Sequence, residues 1–266
     1  MTVDRLAVTP PAAYDAEWSA KLATMNSLRP QDFLQLVAGD VVVVVGAHPD
    51  DETFGVGASI ASLSQAGVEV HALSLSSGEA ALDQVRRSAV GSRAAADLRG
   101  AAGPGSAPGL GARRAREYQR ACEALGVASS TVLDLPDSRL GEHPRALRLA
   151  VSELVERVRP IHLLTVWWSD PHPDHRAVGE ASVAAARAAG CQVSGYPVWA
   201  PHWLDPASEL VEWRRLQPMV NDASARQSHD VAISCYRSQI EPLAADLEPV
   251  LPPSFVHWTT EILVRA

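Results

Sequence analysis

Short apolar runs alternate with amphipathic segments along most of this chain. The first run, at 41–45, is five consecutive valines, which is typical of a strand buried on both faces of a parallel sheet. Later apolar runs that predict strands lie at 68–76, 131–135, 161–168 and 192–199. The segments between them have the periodicity of helices, at 51–66, 113–125, 145–159 and 176–189. This alternation predicts an α/β protein with a mostly parallel sheet and helices on both faces.

The beginning of the chain interrupts this alternation. Trp18, Leu22 and Met25 recur at helical spacing, and Pro30 then breaks the pattern. Residues 1–38 therefore predict an N-terminal helical arm that contributes packing and no chemistry.

The remainder, 39–266, is expected to form one domain, although two parts of it are irregular. The C-terminal part predicts a helix at 231–243 and a late strand at 260–264. A stretch rich in glycine and proline at 100–112 predicts a loop, which is either a lid over a pocket or a tolerated surface insertion.

Composition and charge exclude several classes of protein. A net charge of −8 and a pI near 5.6 argue against nucleic acid or an anionic membrane as the main partner. The sequence has neither an apolar signal region nor the roughly 18 apolar residues of a membrane span, which favours a cytoplasmic location. Its three cysteines lack metal or disulfide spacing. The sequence does not decide between a monomer and a homo-oligomer.

Candidate chemistry is concentrated in two short motifs, each placed directly after a predicted strand. His48-Pro49-Asp50-Asp51 follows the valine run, and His172-Pro173-Asp174-His175 follows the run at 161–168. Side chains at the carboxyl ends of parallel strands project into the crevice where α/β proteins bind ligands. The two motifs are therefore predicted to form one site.

The residue types in these motifs indicate a catalytic metal. A catalytic zinc takes three protein ligands and keeps a position open for water. His48 and Asp51 supply two ligands from one turn, and either His172 or His175 supplies the third.

The residues left over have the chemistry of proton transfer. Asp50 lies next to a ligand and is free to take a proton from water and pass it to a leaving amine. The histidine that does not bind metal could donate to a developing oxyanion, with Asp174 as the carboxylate that orients it.

The segments 47–52 and 172–175 resemble the two signature motifs of the PIG-L/LmbE-like zinc N-deacetylases. The resemblance runs from about Gly39 to at least Gln239 and includes weaker matches at Ser77-Gly78-Glu79, at 114–117, at Leu135-Pro136-Asp137 and at 236–239. It implies a Rossmann-like fold that hydrolyses an N-acyl, usually N-acetyl, group from an amino sugar or a related glycoconjugate.

The resemblance also implies a role for each residue of the two motifs. It assigns one zinc ion per chain to His48, Asp51 and His175. It assigns the role of general base to Asp50 and assistance to the transition state to His172.

Two further side chains are candidates for contact with the substrate, expected to be a small N-acetylated sugar or glycoconjugate. Arg114 falls where the family has an arginine that contacts substrate, although Arg113 and Arg116 make that register ambiguous. Trp168 follows a strand beside the second motif and could stack on a sugar ring, or it and its neighbour Trp167 could serve core packing.

Two other functions remain open on the same residues. A metal-dependent phosphoesterase uses similar ligands, usually with more carboxylates and often a second metal. A non-catalytic sugar-binding module on the same fold would not need Asp50, because binding alone requires no base. A dinucleotide-binding protein is excluded, because Gly46 is followed by Ala-His-Pro and not by a glycine-rich turn.

Overall fold

The computed structural model describes residues 14–81, 109–242 and 248–266, and is built around a seven-stranded sheet. The sheet has the order β3-β2-β1-β4-β5-β7-β6. Its strands are β1 (Val41–Gly46), β2 (Glu69–Ser74), β3 (Ser129–Val132), β4 (His162–Val166), β5 (Gln192–Tyr196), β6 (Leu216–Pro218) and β7 (Ile262–Arg265). Strands β1 to β5 pair in parallel, and β7 is antiparallel to β5 and β6. The α/β fold with a mostly parallel sheet is confirmed.

Ten α-helices are described in these ranges. They are α1 (Asp15–Leu22), α2 (Pro30–Leu34), α3 (Asp51–Gln65), α4 (Leu110–Leu125), α5 (Pro144–Val158), α6 (Pro173–Ala189), α7 (Ala200–Trp203), α8 (Ala223–Ser234), α9 (Arg237–Ile240) and α10 (Pro253–Val256). Helices α3, α4 and α8 pack together, and α5 packs against α6. Right-handed crossovers place these two groups on opposite faces of the sheet, because the strand order runs in opposite directions from β1 and from β4.

The centre of the sheet is a topological switch point. Strand β1 pairs with both β2 and β4, so the connection from β1 runs towards one edge and the connection from β4 towards the other. Val45 near the end of β1 lies opposite Thr165 near the end of β4. The two strands therefore end side by side, which opens a crevice between their connections.

The described part of the predicted arm, 14–38, contains the helices α1 and α2 and packs on the rest of the structure. Trp18 of α1 is fully buried, and its Nε1 donates to the carbonyl of Leu204 at 2.8 Å. Pro30 interrupts the first pattern as predicted, but it also begins α2, where a proline at the first helical position costs no hydrogen bond. Phe33 of α2 belongs to the main hydrophobic core. The described part of the arm is thus integral to the fold.

Helix α3 is bent, and the bend separates the half that carries site residues from the half that packs in the core. Val56 has non-helical φ and ψ of −149° and 26°, so the helix restarts after it. The backbone N–H groups of Ala58 and Ser59, which begin the second half, donate to the Glu261 carboxylate at 2.6 and 2.8 Å. Glu261, which directly precedes β7, caps this half-helix, and the first half lies in the crevice.

The predicted single helix at 231–243 is wrong. Helix α8 begins at Ala223 and ends at Ser234, and the separate helix α9 follows. The chain turns between them to bury Tyr236, whose hydroxyl lies 2.9 Å from Oγ1 of Thr53. Burial of this ring outweighs the helical periodicity.

Other boundaries differ by a few residues. Strand β3 begins and ends earlier than predicted, and the three-residue strand β6 was not predicted, because so short a run carries little periodicity. The predicted loop at 100–112 lies outside the described residues up to 108, and 110–112 form the first turn of α4. Among the described residues, no helix has the length and apolar character needed to cross a membrane.

Candidate active site

The two sequence motifs meet at the carboxyl ends of β1 and β4. His48 follows β1, and Asp51 is the first residue of α3. His172 caps the N-terminus of α6, and His175 lies in its first turn. The ring centroids of His48 and His175 are 5.4 Å apart, so the motifs form one site as predicted.

Three side chains have the arrangement of a metal site. His48, Asp51 and His175 each offer a ligand atom within 4.8 Å of the others. Oδ1 of Asp51 lies 3.2 Å from Nε2 of His175, and Oδ2 lies 3.5 Å from Nδ1 of His48. Among the described residues, neither ring nitrogen of the buried His175 has a hydrogen-bond partner, since the approaches to Asp51 and Asp170 lack hydrogen-bond geometry. Two imidazoles and a carboxylate that face a common point fit a divalent metal such as zinc.

A buried carboxylate orients His175 from behind. Oδ1 of Asp170 lies 3.2 Å from Nδ1 of His175, while Oδ2 accepts from the backbone N–H groups of Val198, Trp199 and Ala200 at 3.0, 2.9 and 3.2 Å. Burial opposes the charged form of the imidazole, but the adjacent carboxylates prevail and raise the pKa of His175 to about 9. Metal binding would therefore displace a proton from this ring. The sequence analysis assigned no role to Asp170, which lies two residues before the second motif.

His48 is held by two further carboxylates. Its Nε2 lies 3.1 Å from Oδ1 of Asp137 and 3.3 Å from Oδ2 of Asp174. Burial works against protonation, yet these carboxylates raise the pKa of His48 well above its ordinary value. Asp174 also accepts from the N–H groups of Ser138 and Leu140 at 2.8 and 3.1 Å. Its carboxylate thus orients His48, whereas the sequence predicted that it orients a histidine of its own motif.

His172 is oriented by backbone. Its Nδ1 accepts from the backbone N–H of Asp174 at 3.3 Å, which leaves the hydrogen of the neutral ring on Nε2. Burial, together with the neighbouring imidazoles of His175 and His48, lowers the pKa of His172 to about 3. The ring is therefore a neutral hydrogen-bond donor.

Asp50 and Arg114 form a buried pair beside the metal group. Nη2 of Arg114 donates to Oδ2 of Asp50 at 2.8 Å, and Nη1 donates to the carbonyl of Gly78 at 2.7 Å. Gly78 has a φ of +64°, and a Cβ there would lie 2.1 Å from Nη1, so the contact requires glycine. Burial raises the pKa of Asp50, and the guanidinium opposes that shift.

Glu52, which the sequence left without a role, lies beneath the site. Oε1 accepts from the hydroxyl of Tyr118 at 2.7 Å, and a Cβ at Gly46 would lie 2.7 Å from the Glu52 carboxyl carbon. Burial and the charge of Asp51 raise the pKa of Glu52 well above its ordinary value. The Glu52 carboxyl group packs against the end of β1.

A small pocket opens onto these groups. Its polar side contains the predicted residues His48, Asp50, Asp51, Arg114 and His172, together with Asp137. Its other side, which the sequence did not predict, is formed by residues that are mostly apolar: Phe54, Ala81, Val198, Trp199, Gln239, Val250, Leu251 and Phe255.

Trp168 does not line this pocket within the described residues. It lines a separate depression with Glu180 and Arg187, and its neighbour Trp167 is buried in the core. Trp199, from the segment after β5, lines the pocket that contains the candidate metal group.

Comparison with known proteins identifies the family. The family described as PIG-L: GlcNAc-PI de-N-acetylase matches residues 43–186, more than half of this chain. A diacetylchitobiose deacetylase of Thermococcus kodakarensis is 31% identical over 152 residues, which are 56% of this chain and 50% of that protein. A 1D-myo-inositol 2-acetamido-2-deoxy-alpha-D-glucopyranoside deacetylase of Saccharopolyspora erythraea is 30% identical over 184 residues, 58% of this chain and 55% of that protein. The chain thus spans about half the length of these two relatives.

Solved structures share the fold. The crystal structure of the A40926 pseudoaglycone deacetylase has a TM-score of 0.59 at 20% identity, and the match covers 84% of this chain and 96% of that one. A teicoplanin deacetylase in complex with teicoplanin has a TM-score of 0.57 at 15% identity, covering 85% and 98%. The resemblance seen in the two motifs is confirmed, and this chain belongs to the PIG-L family of de-N-acetylases.

Proposed function

We propose that this protein is a zinc-dependent N-deacetylase that hydrolyses the acetamide of an N-acetylated amino sugar or a related glycoconjugate. The observation that carries the proposal is the three-ligand group His48, Asp51 and His175 with the Asp50 carboxylate beside it. The names of the relatives support the substrate class, because diacetylchitobiose and the inositol glucosaminide both carry an acetamido sugar.

The residues present fit a single zinc ion. Two imidazoles and one carboxylate make a three-ligand set, and the carboxylates of Asp170 and Asp174 orient the two imidazoles from outside it. Zinc bound there would supply an acidic water near neutral pH and would polarise the acyl oxygen.

Asp50 is the general base and then the general acid. Its carboxylate takes a proton from the attacking water and returns it to the leaving amine. Arg114 holds one carboxylate oxygen at 2.8 Å and leaves the other for this transfer. Burial excludes bulk water from the proton's path.

His172 stabilises the developing charge on the acyl oxygen. Because its Nδ1 is occupied by the backbone, its Nε2–H is the group available to donate. A neutral ring keeps this hydrogen through the reaction and does not compete with Asp50 for the proton.

The test is release of acetate from a panel of N-acetylated sugars by purified protein whose zinc content has been measured. We expect acetate release that is lost on chelation and restored by zinc. The matched control is Asp50→Asn, which should retain zinc and lose turnover. Phosphate release from phosphate esters without acetate release would favour the phosphoesterase. Cytoplasmic location stays a prediction.

A further inference from the structure

The two sides of the pocket come from different parts of the chain. The charged residues and the histidines, from His48 to His172, lie within the 43–186 range that the family match covers. Most of the apolar residues lie outside that range, and they are Val198, Trp199, Val250, Leu251 and Phe255. The family match therefore does not extend over most of the apolar part of the pocket.

The names of the relatives show that the group attached to the amino sugar varies within the family. Their names share the N-acetylated glucosamine unit, but the attached group is a second sugar, an inositol or an L-malate. Each of those attached groups is polar. A wall that is apolar in this chain favours a different attached group.

We propose that this wall is a subsite for an apolar group attached to the amino sugar, and that Trp199 is its specificity-determining residue. The proposal rests on the deacetylase function, because it takes the acetamide to lie at the polar side. Burial of an apolar group against the wall then adds affinity without a change in the chemistry at the metal.

Two aromatic rings pack against Trp199. Its ring centroid lies 4.2 Å from that of Trp203 at an interplanar angle of 20°, and 4.3 Å from that of Phe255 at 32°. These contacts hold the indole in place where it lines the pocket beside Val198 and Leu251. Trp199 is therefore part of a packed apolar wall.

The carboxylate of Asp170 links the wall to the candidate metal group. One oxygen of Asp170 lies 3.2 Å from Nδ1 of His175, and the other accepts from the backbone N–H groups of Val198, Trp199 and Ala200. Displacement of Trp199 would thus disturb the carboxylate behind a candidate ligand.

Helix α1 supports the wall from outside. Nδ1 of His202 lies 2.6 Å from Oδ1 of Asp15, and the His202 ring packs on Phe255 with centroids 4.9 Å apart. The hydrogen bond from Trp18 to the carbonyl of Leu204 fixes the end of the same segment. Asp15 is therefore a positioning residue for the subsite, although it lies in the arm.

The test is binding to zinc-loaded protein of two deacetylated sugars, glucosamine and phenyl β-glucosaminide, measured by titration calorimetry. Wild type should bind the phenyl glycoside about 10-fold or more tightly than glucosamine, the scale expected for burial of an aromatic group. Trp199→Ala should bring this ratio near one, and Trp199→Phe should retain most of it. Leu149→Ala, an exposed position on α5, is the matched control.

A second variant pair separates positioning from folding. Asp15→Ala should lower the ratio of the two affinities about threefold, the scale of one hydrogen bond and less than the loss of Trp199 itself. Asp15→Asn keeps an acceptor oxygen for His202 and should restore the ratio. Three results for the ratio of the two affinities would overturn the subsite. They are a ratio near one in wild type, a ratio that is unchanged in Trp199→Ala, and a ratio that is lost only in Trp168→Ala. Because no turnover is involved, a protein that binds with this ratio but releases no acetate would refute the deacetylase function alone.

Discussion

Arg114 donates to Asp50 across 2.8 Å, and the two side chains are only 4% and 8% exposed. A buried pair of this kind fixes the carboxylate that faces the candidate metal group. The sequence suggested a different partner for Arg114, a group on the substrate. The two roles make different kinetic predictions.

Arg114→Lys should lower kcat by about 10- to 100-fold, with a smaller change in KM, because an ammonium cannot bridge Asp50 and Gly78 as the guanidinium does. Steady-state kinetics measure both constants. Arg116→Lys, at an exposed position of the same helix, is the control. A raised KM with kcat unchanged would instead show that Arg114 contributes substrate binding.

Asp50→Asn should reduce kcat by roughly 10²-fold or more, the typical scale for loss of a general base. The amide can still accept from Arg114, so the fold and the zinc content should remain those of wild type. Elemental analysis and circular dichroism check these two points. Near-normal turnover in this variant would show that another group moves the proton.

Substitutions at His175 and Asp170 should separate a ligand from the group that orients it. His175→Ala should abolish stoichiometric zinc, because one of three protein ligands is removed. Asp170→Asn should weaken zinc affinity by about 10- to 100-fold, the scale for partners of a ligating histidine. Competition with a chelator of known affinity measures both. Equal zinc affinity in Asp170→Asn and wild type would contradict the assignment.

Glu261→Ala should destabilise the fold by about 2 to 3 kcal/mol, because it removes the cap of the second half of α3 and leaves two buried N–H groups without an acceptor. Urea unfolding of the metal-free proteins measures the loss. Glu261→Gln retains one acceptor and should lose less. Glu209→Ala, in an exposed turn, should be neutral. A neutral Glu261→Ala would show that the bend at Val56 needs no cap.

His162 should make stability depend on pH through a buried neutral imidazole. Burial lowers its pKa to about 4 from an ordinary value of 6.5. The unfolded chain therefore binds a proton first, and stability falls as pH decreases from about 6.5 to about 4. The full contribution is about 3 kcal/mol. Metal-free His162→Gln should lose less stability than metal-free wild type between pH 7 and pH 4. Parallel pH profiles for the two proteins would exclude this role.

The polar half of the site could be predicted because its residues are contiguous in sequence. His48, Asp50 and Asp51 occupy one turn, and a buried valine run places that turn at the end of a strand. The carboxylates that contact these candidate ligands are not all close to them in the sequence. Asp137 reaches His48 from a loop about ninety positions later, and only the folded chain shows the contact.

The apolar half could not be predicted for the same reason. Trp168 is adjacent to the second motif in sequence but faces a separate depression, whereas Trp199 and Phe255 reach the pocket from segments with no motif of their own. The break between α8 and α9 is similar, since burial of Tyr236 depends on tertiary packing and not on local periodicity.

Because β1 and β4 are adjacent in the sheet, the candidate metal site forms only after these two strands have paired. His48 and Asp174 are 126 positions apart, and they come within 3.3 Å only when these two central strands have paired. A partly folded chain, in which only the segment from β1 to β3 has assembled, would hold two ligands and bind metal weakly. The ion would therefore bind after the strands of the sheet have paired. The bound ion would in turn slow the separation of β1 and β4. Hydrogen exchange at the amides of β1 and β4, with and without metal, would reveal this effect.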